Sequence, residues 1–243
     1  MTKIEPLTTS IIIPALNEAE NIEAVILCAA QSNAQEILVI DGGSTDGTPA
    51  VSKAAGAKVI HEDRRGYGQA CATGAEQAVG DILVFLDADG ADDPGQINKL
   101  VAPILDNQAD LVLGSRLAGQ IMPGAMPLHQ KFGNWLSAAL IRLLYREPLT
   151  DLSPFRAIQK TSLQHLDMTE MTFGWPTEMI CKSARMTLRI REIPVVYRPR
   201  TGGKSKISGT VLGTIKATYY ILTTIIKYRP INLEKLRNRQ NRF

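Results

Sequence analysis

Four carboxylates crowd into seven positions where an apolar run ends: Asp87, Asp89, Asp92 and Asp93, in FLDADGADDPG (85–95). Like charges this close raise one another's pKa unless something positive sits among them. In a strand, residues i and i+2 point to the same side, so Asp87 and Asp89 face one way. Ligands of open α/β sheets bind beyond the carboxyl ends of the strands. A same-facing pair there suits a hard divalent cation that shares its shell with substrate phosphates. An acidic turn capping the next helix accounts for Asp92 and Asp93, since Asp93-Pro94 makes a good N-cap and first helical residue. It leaves Asp87 and Asp89 unexplained, because they come too early. An EF-hand loop fails, with Ala91, Asp92 and Asn98 at its fifth, sixth and twelfth positions.

Three further junctions between apolar runs and helix-like segments carry polar residues. In PALNEAENIEAV (14–25), Asn17 and Glu18 could simply cap a helix. In VIDGGSTDGT (39–48), Asp41 ends a strand, and Gly42-Gly43 would let a ligand approach the backbone closely. A carboxylate there could accept from a ribose or a base; a tight turn is the plain alternative. RRGYGQACATG (64–74) imitates a dinucleotide fingerprint, but Cys71 replaces the third glycine and the segment follows the third strand rather than the first. A nicotinamide enzyme is therefore set aside. Arg64 and Arg65 either face substrate or are surface charge.

The elements that must position these residues read as an α/β domain. Apolar runs at 9–13, 36–40, 57–60, 81–86 and 110–114 predict strands buried on both faces, as in a parallel sheet. Helices are expected at about 18–31, 46–55, 68–79 and 94–107. Residues 115–130, rich in Gly, Pro and Met, read as a long loop. Helices at 131–146 and 175–186 and a strand pair across 188–199 follow. With 243 residues, 44% of them hydrophobic, the chain can build a sizeable core. A net charge of +3 is no nucleic-acid signature. Cys28, Cys71 and Cys181 form no metal or redox spacing, which implies reduced thiols, and the N-terminus lacks a signal-peptide core, which implies a cytoplasmic protein.

P-A-L-N-E, D-G-G-S-T-D-G-T and D-A-D, in this order after strands one, two and four, resemble an inverting family 2 glycosyltransferase of GT-A fold. With GSR (114–116), TDLSPFRA (150–157) and RTGGKSK (200–206), the chain is similar over about residues 8–228 to the dolichol-phosphate mannosyltransferase branch. That branch moves sugar from a nucleotide diphosphate to a polyprenyl phosphate. The resemblance implies that Pro14, Leu16 and Glu18 line the nucleotide pocket, with Asp41 at the base. It implies that Asp87 and Asp89 hold Mg²⁺ or Mn²⁺ and the diphosphate, with the Ala88 backbone near the nucleotide. Arg116, Arg200 and Lys206 would hold the donor diphosphate and acceptor phosphate. This chain departs from the pattern at Leu16 (often Tyr), Gly42 (a second Asp) and Ala91 (a Gln metal ligand), which leaves sugar and base open.

The three histidines, His61, His129 and His165, lie outside every motif. A polyprenyl phosphate is already an anion near pH 7 and needs no strong base. The remaining work is alignment and stabilisation of the leaving diphosphate. A hydroxyl acceptor, on a lipid or a small molecule, would need a base, and Asp151 or Glu178 are the candidates, each equally readable as an ion-pair partner. A silent, membrane-bound family member is a further alternative. The expected organisation is a GT-A domain at 1–206 and an amphipathic helix with a basic tail at 207–243. Leu212, Ile215, Tyr219, Leu222 and Ile226 recur at helical spacing, and six Lys or Arg follow between Lys227 and Phe243. That pattern predicts a helix lying on anionic membrane, with packing on the protein itself as the alternative. A homo-oligomer is also open.

Overall fold

The computed structural model describes residues 7–202 and 211–230, with side chains in 211–217 excepted. Lys206 and the basic tail beyond Pro230 lie outside the described residues. Seven strands form one sheet: β1 (Thr9–Ala15), β2 (Glu36–Asp41), β3 (Lys58–His61), β4 (Ile82–Phe85), β5 (Leu111–Ile121), β6 (Arg156–Gln159) and β7 (Ile190–Tyr197). Their order is β3-β2-β1-β4-β6-β5-β7. The first four run parallel, and β6 lies antiparallel between β4 and β5. β5 and β7 pair in parallel.

The eight helices described are α1 (Ile22–Ala29), α2 (Thr48–Ala54), α3 (Tyr67–Gln77), α4 (Ile97–Leu105), α5 (Leu128–Tyr145), α6 (Lys160–Leu166), α7 (Trp175–Arg185) and α8 (Val211–Lys227). The sheet divides two apolar layers. Ile12, Leu38, Ile40, Leu83 and Phe85 face one, shared with α3, α5 and α7. Ile11, Ile13, Val39, Ile82 and Val84 face the other, shared with α1 and α4. Alternate residues of each strand thus enter opposite cores, and both sets are apolar, so the strands read as unbroken hydrophobic runs. The strand order reverses between β1 and β4, which is where a crevice opens at the carboxyl ends of such a sheet.

Three expectations need correction. Residues 115–121 are not loop: β5 continues through them, with an irregular register between Ser115 and Gln120. Gly119 permits this, because a Cβ there would stand 2.0 Å from the Val195 carbonyl oxygen. Residues 188–199 contain one strand, β7 (Ile190–Tyr197), rather than a pair. Pro194 sits within that strand, at the sheet edge where a missing N–H is tolerated. The first helix starts at Ile22, four residues later than expected, after a turn in which Asn21 and Ile22 N–H both donate to the Glu18 carbonyl.

α8 is helical as expected, and its later turns pack on the protein. Thr224, Ile225 and Tyr228 are buried, and the Tyr145 hydroxyl of α5 donates to the Ile225 carbonyl at 2.6 Å. Tyr219 and Ile226, from the anticipated apolar stripe, point outward.

The Gly66-x-Gly68 pattern has a packing cause. Gly68 N–H donates to the Thr172 carbonyl and Gln69 N–H to that of Met171, so α3 abuts the 170–172 segment backbone to backbone. A Cβ on Gly68 would stand 2.4 Å from the Glu170 carbonyl oxygen and 2.8 Å from Trp175 Cβ. Gly68→Ala is therefore expected to destabilise the fold by about 1–3 kcal/mol through overpacking, read as a lower urea midpoint.

Candidate active site

The crevice at the strand ends is a cleft of ≈ 770 Å³. Pro14 at the end of β1 with Leu16 and Glu18 after it, Gly42 and Gly43 after β2, Arg64 to Tyr67 after β3, and Asp87 to Asp89 after β4 line one part of it. The other part is walled by α5 (Gln130, Gly133, Asn134, Ser137), by Phe173 and Pro176, and by Thr218 and Ile221 of α8.

The loops after β1 and β2 are stitched together. Asn17, in a left-handed conformation, receives the Thr45 N–H on its side chain at 2.7 Å and gives its own N–H to Ser44 Oγ at 2.8 Å. Glu18 N–H donates to Thr48 Oγ1, and Asp46 accepts from the Thr48 hydroxyl and from Ala19 N–H. Polar residues that looked like two separate helix caps thus join two loops. The effect is to fix the Glu18 side chain at the cleft.

Asp87 and Asp89 both reach the cleft, together with Arg200. Burial, followed by repulsion from Asp89, pushes the Asp87 carboxyl up to about 7. The Tyr67 hydroxyl donates to Asp87 at 3.0 Å, and Ala91 N–H donates to Asp89 at 3.0 Å. Arg200 lies 3.5 Å from the other Asp89 oxygen, pairs with Glu18, and donates from Nε to the Gly202 carbonyl at 2.6 Å. Asn21 ties Glu18 to the same Gly202 carbonyl. The guanidinium therefore bridges the loops after β1 and β4, and is the positive group the acidic run called for.

Arg116 lines the cleft but is held from behind. Its guanidinium makes two bonds of 2.8 Å to Asp151, its backbone N–H a third at 2.9 Å, and the Tyr197 ring lies under it at 5.1 Å. Despite burial, that pairing holds Asp151 below the usual carboxylate range. Asp151 does not line the cleft. As a base it is a correction: it is the ion-pair partner of Arg116. Glu178 is likewise engaged, by Thr169, Glu170 N–H and Lys182, away from the cleft.

Asp41 is buried behind Gly42 and Gly43. Its carboxylate accepts from the Gly43 and Ser44 N–H groups at 3.2 Å and faces His61 Nδ1 at 3.2 Å. Leu16 is exposed at the cleft and Ala88 is buried beside it. Two residues close to Asp87 went unassigned by sequence reasoning. Tyr67 was visible only as part of a glycine pattern. Arg156, the arginine of TDLSPFRA, is fully buried and donates to the Pro154 and Pro176 carbonyls; burial pulls it down to about 10. Its motif was legible, its role was not.

Residues 10–179 match the family described as Glycosyl transferase family 2. This chain is a family 2 glycosyltransferase. An uncharacterized glycosyltransferase of Mycobacterium tuberculosis is 38% identical over 210 residues, covering 86% of this chain and 93% of that protein. An undecaprenyl-phosphate mannosyltransferase of Micrococcus luteus is 31% identical over 219 residues, covering 83% and 88%. That relative accords with the dolichol-phosphate mannosyltransferase-like branch. Glucosyl-3-phosphoglycerate synthase from Mycobacterium tuberculosis, solved with Mn²⁺, UDP and phosphoglyceric acid, superposes with a TM-score of 0.74. It is 23% identical, over 91% of this chain and 78% of that one, and it shows the GT-A fold of this glycosyltransferase.

Breaking the Arg116–Asp151 pair tests its structural weight. Asp151→Ala leaves a buried guanidinium uncompensated and is expected to cost about 3–5 kcal/mol in a denaturant titration. The depressed Asp151 pKa sets the sign of the pH effect: the wild-type contribution is full above the ordinary carboxylate value of about 4 and is lost as pH falls through the lower folded value. The gap between wild type and variant should therefore narrow in acid.

Proposed function

We propose that the enzyme moves a sugar, with inversion, from a nucleoside diphosphate sugar to a polyprenyl phosphate at a membrane surface. The observation that carries this is the make-up of the cleft lining: each of its carboxylates has a partner, and its one imidazole, His129, stands exposed on the α5 wall. Among the described residues, the acids lining the cleft are Glu18, Asp87 and Asp89. Glu18 is bound to Arg200 and Asn21, and the walls from α5, α7 and α8 contribute no carboxylate. An acceptor that arrives as an anion needs no proton removed. Its apolar chain suits walls that include Phe173, Pro154, Pro176 and Ile221.

Asp87 and Asp89 would hold Mg²⁺ or Mn²⁺. Two carboxylates in an open cleft fit a cation that completes its shell with waters and phosphate oxygens. When bound, such a cation neutralises charge on the leaving diphosphate. Arg200, tethered by Glu18, and Arg116, tethered by Asp151, would orient that diphosphate and the acceptor phosphate, joined by Lys206. Pro14, Leu16 and Glu18 would face the nucleoside, with Asp41 shaping the turn behind it. The mannosyltransferase relative supports the acceptor class, and UDP in the solved neighbour makes it the first nucleotide to test.

Asp89→Ala is expected to lower transfer to a short-chain polyprenyl phosphate by about 10²–10³ while circular dichroism stays unchanged. Transfer to a hydroxyl acceptor in place of the phosphate would overturn the reading. The Asp87 carboxyl must lose its proton before it ligates a cation. Mn²⁺ affinity in the presence of UDP should therefore rise between about pH 6 and 8, and Asp87→Asn should flatten that rise in calorimetry.

A further inference from the structure

We infer that the outer face of α5, continued by α8, is the surface through which this enzyme docks on an anionic lipid bilayer. Leu128 is 82% exposed, Leu143 73%, Phe132 62% and Trp135 53%. At 100° per residue these four fall within roughly 80° of arc. Ser137, Ala138, Ile141 and Tyr145 are buried on the opposite side. So α5 already has its core face, and the exposed stripe is a second one. Phe132 and Trp135 stand side by side on it, ring centroids 5.9 Å apart. Tyr219 and Ile226 repeat the arrangement on α8, exposed opposite buried Thr224, Ile225 and Tyr228.

Charge selects the occupant. α5 has no acidic residue from Leu128 to Tyr145, while Lys131 and Arg142 lie on it and Arg146 follows it. Arg229, exposed, follows α8, and the Tyr145–Ile225 hydrogen bond brings these two helix ends together. Aromatic and Leu side chains on one face, flanked by Lys and Arg, are what an interfacial helix presents to headgroups. No helix of the described residues is long and apolar enough to cross a membrane, so the face lies on the bilayer. Gly133, Asn134, Thr218 and Ile221 line the cleft from the inner sides of the same two helices, so docking would hold the cleft about one helix diameter, ~10 Å, from the lipid surface. The proposal rests on the lipid-acceptor reading for its purpose, yet its test does not depend on catalysis.

The chain has two tryptophans, and Trp175 is buried, so Trp135 reports on this face. With vesicles containing phosphatidylglycerol, Trp135 emission should shift to the blue and be quenched by brominated lipid. With phosphatidylcholine alone, or at high salt, the shift should largely vanish. The variant Phe132→Ser/Trp135→Ser/Leu143→Ser changes only exposed positions outside the cleft wall. It should lose vesicle affinity by about ten-fold or more while keeping its melting temperature and its transfer rate to a water-soluble acceptor. Unchanged vesicle binding in this variant would overturn the proposal. So would a concentration-dependent dimer of the wild type that the variant abolishes, since the face would then belong to a second copy of the chain. Vesicle binding without transfer to any polyprenyl phosphate would uphold the face and overturn the acceptor reading instead.

Discussion

Two carboxylates two residues apart at the end of β4 repel each other, and the cleft is organised around that repulsion. Asp87 gains the Tyr67 hydroxyl and has the buried Arg156 guanidinium near it. Asp89 has Arg200, which Glu18 and the Gly202 carbonyl hold from the other side. The relief is incomplete: burial first, and repulsion from Asp89 second, leave Asp87 at about 7. A group left that way favours whatever cation next enters the cleft, because ionising it alone is costly while ionising it beside positive charge is not. Residual strain in the charge balance thus favours ligand over solvent.

Arginines supply this balance in two different ways. Arg116 is committed: two parallel bonds to a buried carboxylate fix its plane and leave its remaining edge toward the cleft. Arg200 is shared among three oxygen acceptors on separate loops, so its position depends on all of them. A rigid cation and an adjustable one on the same cleft divide positioning from accommodation.

Much of this was legible in the residues themselves. The strand and helix alternation of the first half could be read because its strands bury both faces and carry unbroken apolar runs. Asp87, Asp89, Glu18 and Arg200 could be selected because each stands just past a strand or within a recognisable motif. What could not be read was pairing across the chain. Asp151 lies 35 positions from Arg116, and nothing local to either shows that one neutralises the other. β6 is four residues long, too short for a period to show. The outer half of β5 has exposed Ala118, Gly119 and Gln120, so it is held by backbone contact with β7 rather than by an apolar pattern. Of the apolar stripe expected on α8, Tyr219 and Ile226 point outward, and Thr224, Ile225 and Tyr228 form the inner face of its last turns.

The antiparallel β6 has a consequence for how the molecule assembles. It sits between β4 and β5, pairing Phe85 with Arg156 and Leu113 with the same residue. Until residues 156–159 have left the ribosome, β4 ends in a row of unpaired backbone groups flanked by apolar side chains. The first four strands can form early from contacts close in sequence, yet they present that sticky margin while some seventy further residues are made. At about 5–20 residues per second the exposure lasts seconds. That margin is an unpaired edge of the kind that recruits other chains, and β6, by joining β4 to β5, is the strand that covers it.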